Sequence, residues 1–462
     1  MMSPQDLIEK ITSAADYDDC IVIVESKTQA NLRWAGSTLT TNGVIATQKI
    51  TVVAFVAVEG GMATGSVTRT SVAESEIIDI AKAAGIAARA AGKADDAAEL
   101  KRNFASGDWK AEHTPTGPDV FSGIAPELGE TFRRSQSDQI ELFGYAEHTH
   151  DTTWVGSKGG LRLRFDQPDG RVEMTGKSHG RSRSTWEGRA SRDFKNLSIS
   201  EIDLEIRTRL EWQGRKLELA AGRYDTVAPA GSVADLYAYL GWFTGAKDAF
   251  EGRSVFSERG QAGKTRVGET FAKLPINIYS DPHYKGLECS PFVVSGLSSS
   301  MSSVFDNGQS APRNDLFKDG KLASLTQTRA TSILTSLPYT PAGGNIIVDL
   351  PGAKGDLNSL IADVKDGLLL TTLWYIRTVD PTTMLLTGLT RDGVYKIKDG
   401  EVIGAVNNFR WNESPVELLN RIKAASATSI TQPREWAGDV ARAAAPAVIF
   451  EQFNMSTVSP GS

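Results

Sequence analysis

Two cysteines in 462 residues, Cys20 and Cys289, are too few for a disulfide framework, and no CxxC spacing offers a redox pair or a metal knuckle. Histidine is nearly as scarce, at five. No apolar run approaches the roughly 18 residues that a membrane span requires. The N-terminal stretch MMSPQDLIEKITSAADYDDC places acidic residues where a signal peptide needs a basic start and an apolar core. The expectation is therefore a cytoplasmic protein in a reducing compartment. Lys and Arg number 50 against 56 Asp and Glu, a net charge of −6, which removes the electrostatic case for nucleic acid. No glycine loop ends in GK[ST], and no serine sits in the G-x-S-x-G setting of a nucleophile elbow.

What is present is an ordinary globular composition with 43 glycines, which favours many turns and a strand-heavy fold. The length suggests two or three domains. A boundary near Gly222 or Pro229 divides the chain into 1–222 and 223–462. In the first part a short helix over 3–16 precedes a buried strand over 20–25. A hairpin follows over 30–35 and 39–43, then the strand Ile50–Val58. Ser71 and Glu74 form a capping box ahead of Ile77, Ile78, Ala81 and Ala84, predicting a helix over about 72–91. A turn-rich stretch over 103–118 leads to a second helix with Phe121, Ile124, Leu128 and Phe132 inward. Leu161, Leu163 and Phe165 alternate with arginines, and Pro168-Asp169-Gly170 predicts a hairpin turn into Val172 and Met174. A long helix from Ser200 carries Leu204, Ile206, Leu210 and Leu217 up to Gly222. The second part reads as strands near 274–279, 371–379, 394–397 and 447–453. A Ser/Gly-rich loop spans 297–313, and a short helix spans 415–424. The fold class is α+β, with an N-terminal antiparallel sheet carrying helices on one face and a strand-rich C-terminal domain.

The most informative stretch is Asp235–Gly263, DLYAYLGWFTGAKDAFEGRSVFSERGQAG. Leu236, Tyr239, Leu240 and Phe243 recur at the spacing of one helical face, and Gly260 and Gly263 bracket the loop that follows. Its aromatic residues Trp242, Phe243, Phe250 and Phe256 suit a core or an interface better than a ligand cage. His148 and His150 would share one face of a strand, as metal ligands can, but the preferred reading is of polar surface residues near a strand end, beside Glu147 and Asp151. His179 joins them only if the hairpin brings it back. His283, with Asp281 nearby and Cys289 six residues later, invites a Cys/His nucleophile; a loop imidazole and a buried thiol explain the same residues. Lys158-Gly159-Gly160 reads as a turn.

In order and spacing the chain resembles the TldD/PmbA family over nearly its whole length. The resemblance rests on the strand pair at Ile50–Gly60, on Thr153–Glu173, and on Ser254-Val255-Phe256-Ser257 followed by Gly263. It continues through Asp281-Pro282, Gly286, Phe305-Asp306-Asn307-Gly308 and Asp319-Gly320, and ends with Leu386-Thr387-Gly388 and Lys398-Asp399-Gly400. In that family the TldD branch carries an HExxxH helix that binds zinc. Counting back from Ser254, the motif would fall at Tyr237–Trp242, where this chain has YAYLGW. The chain therefore resembles the PmbA branch, also called TldE, which lacks the motif. Phe305-Asp306-Asn307-Gly308 departs from the family pattern in lacking a glutamate.

The resemblance implies a subunit without metal or cofactor of its own and without catalytic residues. Its partner would be a TldD-like chain bearing HExxxH and zinc, and the pair would process peptides and small unfolded proteins. A homodimer in isolation is a further expectation. Trp242, Phe243, Ser254, Phe256 and Ser257 are the residues expected to line the shared substrate cleft. Two other readings stand beside this one. One is a homodimeric peptide-binding protein with no protease partner; the other is a metal-independent hydrolase using Cys289 or a serine with His283.

Overall fold

The computed structural model describes residues 2–259, 261–440 and 442–459; Gly260, one bracket of the loop after the aromatic helix, lies outside them. The fold is α+β. The N-terminal half is built on a six-stranded antiparallel sheet in the order β3-β2-β1-β4-β5-β6. Its strands are β1 (Asp19–Trp34), β2 (Leu39–Val58), β3 (Gly61–Thr70), β4 (Glu141–Ser157), β5 (Arg162–Ser178) and β6 (Arg183–Ser191). Helices α1 (Pro4–Ala14), α2 (Ile77–Ala90), α3 (Ala125–Ser137) and α4 (Ile199–Trp212) contribute to the cores on one face. The alternation of β1 explains this arrangement. Cys20, Val22 and Val24 pack in the core with α1 and α2, and Ala30, Leu32 and Trp34 pack in the core with α3 and α4. Ile21 and Ile23 point the other way, into a cluster with Phe292, Val304 and Phe305 of the C-terminal half.

Several elements differ from what local sequence suggests. The segments expected as separate short strands are two long ones, because β1 and β2 stay in register from Asp19↔Phe55 to Arg33↔Thr41. Pro168-Asp169-Gly170 is no turn, since β5 runs straight through it and Pro168 pairs with His150 of β4. β6 joins β5 only from Gly170 onward, so Pro168, which has no N–H to donate, stands where β5 has an open edge. The capping interaction lies later than Ser71–Glu74: the Ala73 N–H donates to the Glu76 carboxylate at 3.0 Å, ahead of a 3₁₀ turn that leads into α2. Phe121 lies on a separate 3₁₀ turn, Pro118–Phe121. α4 stops at Trp212, and Leu217 belongs to a two-residue strand. Leu204 is 65% exposed, and Asp203 is buried in its place. That carboxylate is offset by Arg134 at 2.7 Å and Arg207 at 2.8 Å. The helix expected over 415–424 is a single turn, Pro415–Leu419, followed by a strand at Ile422–Ala425.

The C-terminal half has two further sheets among the described residues. One has six strands, with Asn277–Ser280 and Ile346–Asp349 at its centre; the other has ten, including Gly222–Ala228, Asp366–Leu370 and Val448–Val458. Helix α5 (Ala230–Gly241) lies between them. Val233, Leu236, Tyr237 and Leu240 share one core with Val348, Ala443 and Ala445 from the first sheet and Leu368, Leu370 and Phe450 from the second.

The two halves meet through the Phe305-Asp306-Asn307-Gly308 segment. Phe305 stands edge-on to Phe55 of β2 at 5.1 Å. Asp306 is buried against Arg329 at 2.6 Å, and the Asn307 amide spans the Ser295 and Val304 backbone. Gly308 has φ +78°, and a Cβ there would stand 2.9 Å from Leu161. Truncating Phe305→Ala is expected to cost about 3–5 kcal/mol in equilibrium unfolding. A double-mutant cycle with Phe55→Ala should give a coupling of about 0.5–1.5 kcal/mol; strict additivity would refute the pairing as a contributor to docking.

Candidate functional site

α5 ends beside a cleft of about 280 Å³. Ala238, Gly241 and Trp242 line it from the helix side. Ile278, Tyr279 and Ser280 line it from the central strand, and Gly343, Gly344 and Asn345 from the turn opposite. The spacing 238, 241, 242 is one helical face. Tyr237 is one residue out of that face: its ring is fully buried in the core and its hydroxyl has no hydrogen-bond partner among the described residues. Burial pushes the Tyr237 phenol pKa upward. The Gly343-Gly344 turn lies so close to its neighbours that a Cβ on Gly343 would stand 2.0 Å from Ser280 Oγ, and one on Gly344 2.9 Å from Cys289 Sγ. Asn345 holds the turn in place. Its Oδ1 accepts from Ser280 Oγ at 2.8 Å and from the Asp281 N–H at 2.9 Å, while its Nδ2 donates to the carbonyls of Asp281 at 2.6 Å and Leu287 at 2.7 Å.

Asp235, at the start of the aromatic stretch, is buried and anchors the segment that crosses beside α5. Its carboxylate accepts the backbone N–H groups of Arg434 at 3.2 Å, Glu435 at 3.0 Å and Trp436 at 3.4 Å. Burial pushes its pKa upward and the three N–H bonds oppose that. The approach is close: a Cβ on Gly231 would stand 2.8 Å from the Gln432 carbonyl. Trp436 stacks on Tyr239 at 5.0 Å and meets Trp242 edge-on at 4.9 Å. The Arg434 guanidinium lies 4.8 Å from the Trp186 ring and 5.1 Å from Trp374, and pairs with Asp392 at 2.7 Å. Further along the same segment, Asp439 and Arg442 line both the first cleft and a second of about 180 Å³. That second cleft faces the polar side of the N-terminal sheet, with Lys27, Glu147, Asp151, Asp169 and Arg171. Asp169, paired with Arg442, has its pKa raised to about 6 by burial.

The five residues expected in one cleft are distributed differently. Trp242, 40% exposed, lines the first cleft. Phe243 is half-buried against the core and 5.4 Å from Tyr239. Phe256 is fully buried, 6.1 Å from both Phe271 and Phe317. Ser254 and Ser257 cap their own turn: Ser254 Oγ accepts the Phe256 N–H at 3.2 Å, and Ser257 Oγ accepts the Ser254 N–H at 3.1 Å. Ser257 also lines a separate cleft of about 570 Å³ with Arg259 and Arg266. Asp235, Asn345, Trp436 and Arg442 escaped sequence reasoning. The one available signal was a carboxylate heading an apolar helical face.

His283 is exposed, with its backbone N–H on Asp281, and Cys289 is buried with its thiol pKa raised by burial. Among the described residues no hydrogen bond joins them. His148 and His150 point to the helix-bearing face, while His179 lies beyond the far end of β5. The His148 ring is fully satisfied. Nε2 donates to the Arg192 carbonyl at 2.7 Å and Nδ1 accepts from Thr116 Oγ1 at 2.7 Å. His113, which the sequence did not single out, bridges Thr28 Oγ1 at 3.3 Å and Thr152 Oγ1 at 2.8 Å. Thr152 in turn donates to Asp166 at 2.5 Å. His150 lies 5.7 Å ring to ring from His113.

The family model of the PmbA/TldA metallopeptidase C-terminal domain matches residues 221–457. The chain belongs to the PmbA/TldD family. Its fold is similar to that of TldE from Thermococcus kodakarensis, with a TM-score of 0.78 at 14% identity over 97% of this chain and 99% of that one. It is also similar to a proposed modulator of a DNA gyrase from Thermotoga maritima, with a TM-score of 0.75 at 13% identity over 97% and 99% of the two chains. A proposed modulator of DNA gyrase from Bacteroides thetaiotaomicron has a TM-score of 0.74 at 14% identity over 99% and 100%. At these identities the likeness is one of fold. No curated protein matches. No helix among the described residues is long and apolar enough to cross a membrane.

Two predictions follow from the buried polar groups. Burial lowers the pKa values of His113, His148 and His150, so the folded chain binds fewer protons than the unfolded one near and below pH about 6.5. Their contribution to stability is full above that pH and is lost as pH falls. Asp166, Asp151, Asp193 and Arg164 face these rings, and the raised Asp169 gives the opposite slope. The test is thus differential: a His113→Gln/His148→Gln variant should show a smaller fall in melting temperature between pH 7.5 and 5.5 than the natural chain. Separately, Asp235→Asn turns an amide donor toward converging backbone N–H groups and should cost about 1–3 kcal/mol. Faster hydrogen exchange at Arg434–Trp436 should accompany that loss; unchanged exchange would refute the anchoring role.

Proposed function

We propose that this chain is the metal-free subunit of a TldD/TldE-type metallopeptidase, shaping the substrate chamber for a zinc-bearing partner. The observation that carries this reading is the face that α5 turns to the cleft. A zinc site needs imidazole, thiolate or carboxylate ligands converging on one point. Where the catalytic branch would carry HExxxH, this helix has a core phenol at Tyr237, a methyl at Ala238 and an indole at Trp242. The neighbouring carboxylate, Asp235, is taken up by three backbone N–H groups. These residues do not fit a zinc ion, and no group of three or more His, Cys, Asp or Glu among the described residues could hold one.

The cleft nevertheless suits a peptide. Trp242, Ile278, Leu316 and Ile346 offer apolar surface; Ser280, Asn314, Ser324 and Thr340 donate within the chain and leave acceptor oxygens around it. An extended peptide would use exposed strand backbone for affinity and the cleft for one side chain. The family membership supports the pairing with a TldD-like chain. The buried thiol and the exposed His283, with no hydrogen bond between the two among the described residues, weigh against the Cys289/His283 hydrolase.

Co-expression with an HExxxH-bearing relative from the same genome, followed by peptidase assays, tests the reading. Each chain alone should be inactive or weak, the mixture active and abolished by a chelator. Trp242→Ala should lower the activity of the mixture by about tenfold, the scale of one lost apolar contact, with only a modest fall in the melting temperature of this chain from the lost ring contacts with Tyr239 and Trp436. Chelator-resistant hydrolysis by this chain alone would refute the proposal.

A further inference from the structure

The first and second clefts are joined by Asp439 and Arg442, which line both. Arg171, Ala437 and Gly438 continue the second into a further cleft of about 450 Å³. One trough therefore follows the 434–442 segment, with Trp242 at one end and Arg434 at the other. Gly438 is exposed along it, and a Cβ there would meet nothing within 4 Å. Arg434 and Arg442 are eight residues apart, at most about 28 Å of chain at roughly 3.5 Å per residue. An extended peptide of about ten residues is thus long enough to occupy both ends.

The far end has its own chemistry. Phe143 and Tyr145 of β4, Trp186 of β6 and Trp374 wall it, with the guanidinium groups of Arg171 and Arg434 among them. Arg434 donates through Nη2 to Asp392 at 2.7 Å, while its Nη1 has no hydrogen-bond partner among the described residues. The same holds for Arg171 Nε and Trp374 Nε1. Three such donors beside one cleft are costly for a fold to keep unless an acceptor comes to meet them. Glu173, which also lines the cleft, is already taken: its Oε1 accepts from Tyr145 Oη at 2.9 Å and from Gln432 Nε2 at 2.8 Å. Two more cations stand at the rim. Arg33 lies 5.6 Å from the Tyr145 ring and Lys177 5.6 Å from the Phe143 ring. Glu141 and Glu147 of β4 pair with Arg181 and Arg171, which leaves Arg33 and Lys177 outside the ion pairs of the described residues.

We propose that the far end of the trough binds a carboxylate carried by an extended peptide, from an acidic side chain or from the peptide's C-terminus. Arg171 and Arg434 are its partners, and the aromatic walls shield the bond from water, which strengthens it. The free nitrogens are covered, so binding turns the Trp374 ring outward; the register of its edge strand breaks directly after it. The inference rests on the peptide reading of the first cleft given above and adds the chemical class that the bound peptide carries. A nucleic acid fits less well, because its phosphates would pass Asp151, Asp169 and Asp439 in the second cleft. A peptide brings one carboxylate to the basic end and lays neutral amides past those acids.

Fluorescence anisotropy on the full chain, without any partner, tests this with labelled peptides of about ten residues. Each has a leucine near one end and a glutamate or a glutamine near the other, and each is made with a free or an amidated C-terminus. An oligothymidine of similar length serves as the competing polyanion. Peptides with a carboxylate should bind about tenfold more tightly than the amidated glutamine peptide. An advantage carried by the glutamate assigns the site to an acidic side chain, and one carried by the free terminus assigns it to the peptide's C-terminus. Arg171→Gln should reduce the advantage to about threefold or less. Arg33→Gln/Lys177→Gln changes rim charges alone and should reduce it by about twofold, which keeps the test open if Arg171→Gln fails to fold. Gly438→Leu should weaken the acidic peptide several-fold with an unchanged melting temperature. Equal binding of the acidic and the amidated glutamine peptides, an advantage that survives both Arg171→Gln and the rim pair, or tighter binding of the oligothymidine would each overturn the proposal. None of these results touches the metal-free subunit reading, which stands or falls on the peptidase assay of the mixture.

Discussion

The burial of α5 between two sheets is the constraint on which the cleft depends. A helix packed on both sides by apolar cores has little circumference left for chemistry. Here Leu236, Tyr237 and Leu240 are committed to the interior. What reaches the cleft is a narrow strip of Ala238, Gly241 and Trp242. The same burial explains why Asp235 must find donors inside the protein. An unpaired carboxylate at that depth would be costly, and the backbone of 434–436 supplies the bonds. One helix thus sets the cleft wall and, through its carboxylate, the path of the segment beside it.

That segment links the two halves electrically as well as sterically. Its Arg442 reaches Asp169 on β5, Gln432 reaches Glu173 at 2.8 Å, and Arg434 is held between Trp186 of β6 and Trp374. The polar side of the N-terminal sheet is therefore tied to this segment by an ion pair, a hydrogen bond and a cation–ring contact. Beyond those contacts the apolar patch of Ile21, Ile23, Phe55 and Phe305 takes over. The sheet has one face for its helices, apolar apart from the His113–His148–His150 network, and a second face divided between a dry contact and a polar cleft.

Much of the N-terminal half was legible because its strands alternate and its helices are strongly periodic. α2 and α3 lie close to their expected places, and both faces of β1 can be read from residue parity. The errors have a common cause. Pro168-Asp169-Gly170 carries every local mark of a turn, yet strand pairing on the β4 side overrides it. Leu204 has the spacing of a core residue, but Asp203 takes the interior because Arg134 and Arg207 are there to meet it. Ser254 and Ser257 resemble site hydroxyls and are consumed by their own turn. In each case a contact distant in sequence outweighs a local preference.

The sequence by itself determined the fold class, the absence of a disulfide framework and the lack of zinc-ligating side chains at Tyr237–Trp242, because composition, periodicity and residue chemistry are local properties. Only the tertiary structure decided which of those side chains meet the cleft, since a helix with apolar residues on nearly every face does not announce which of them is covered. It also decided that Asp235, Asn345, Trp436 and Arg442 belong together. Their separations in sequence run from 6 to 207 residues, and no period or motif spans that distance; packing does.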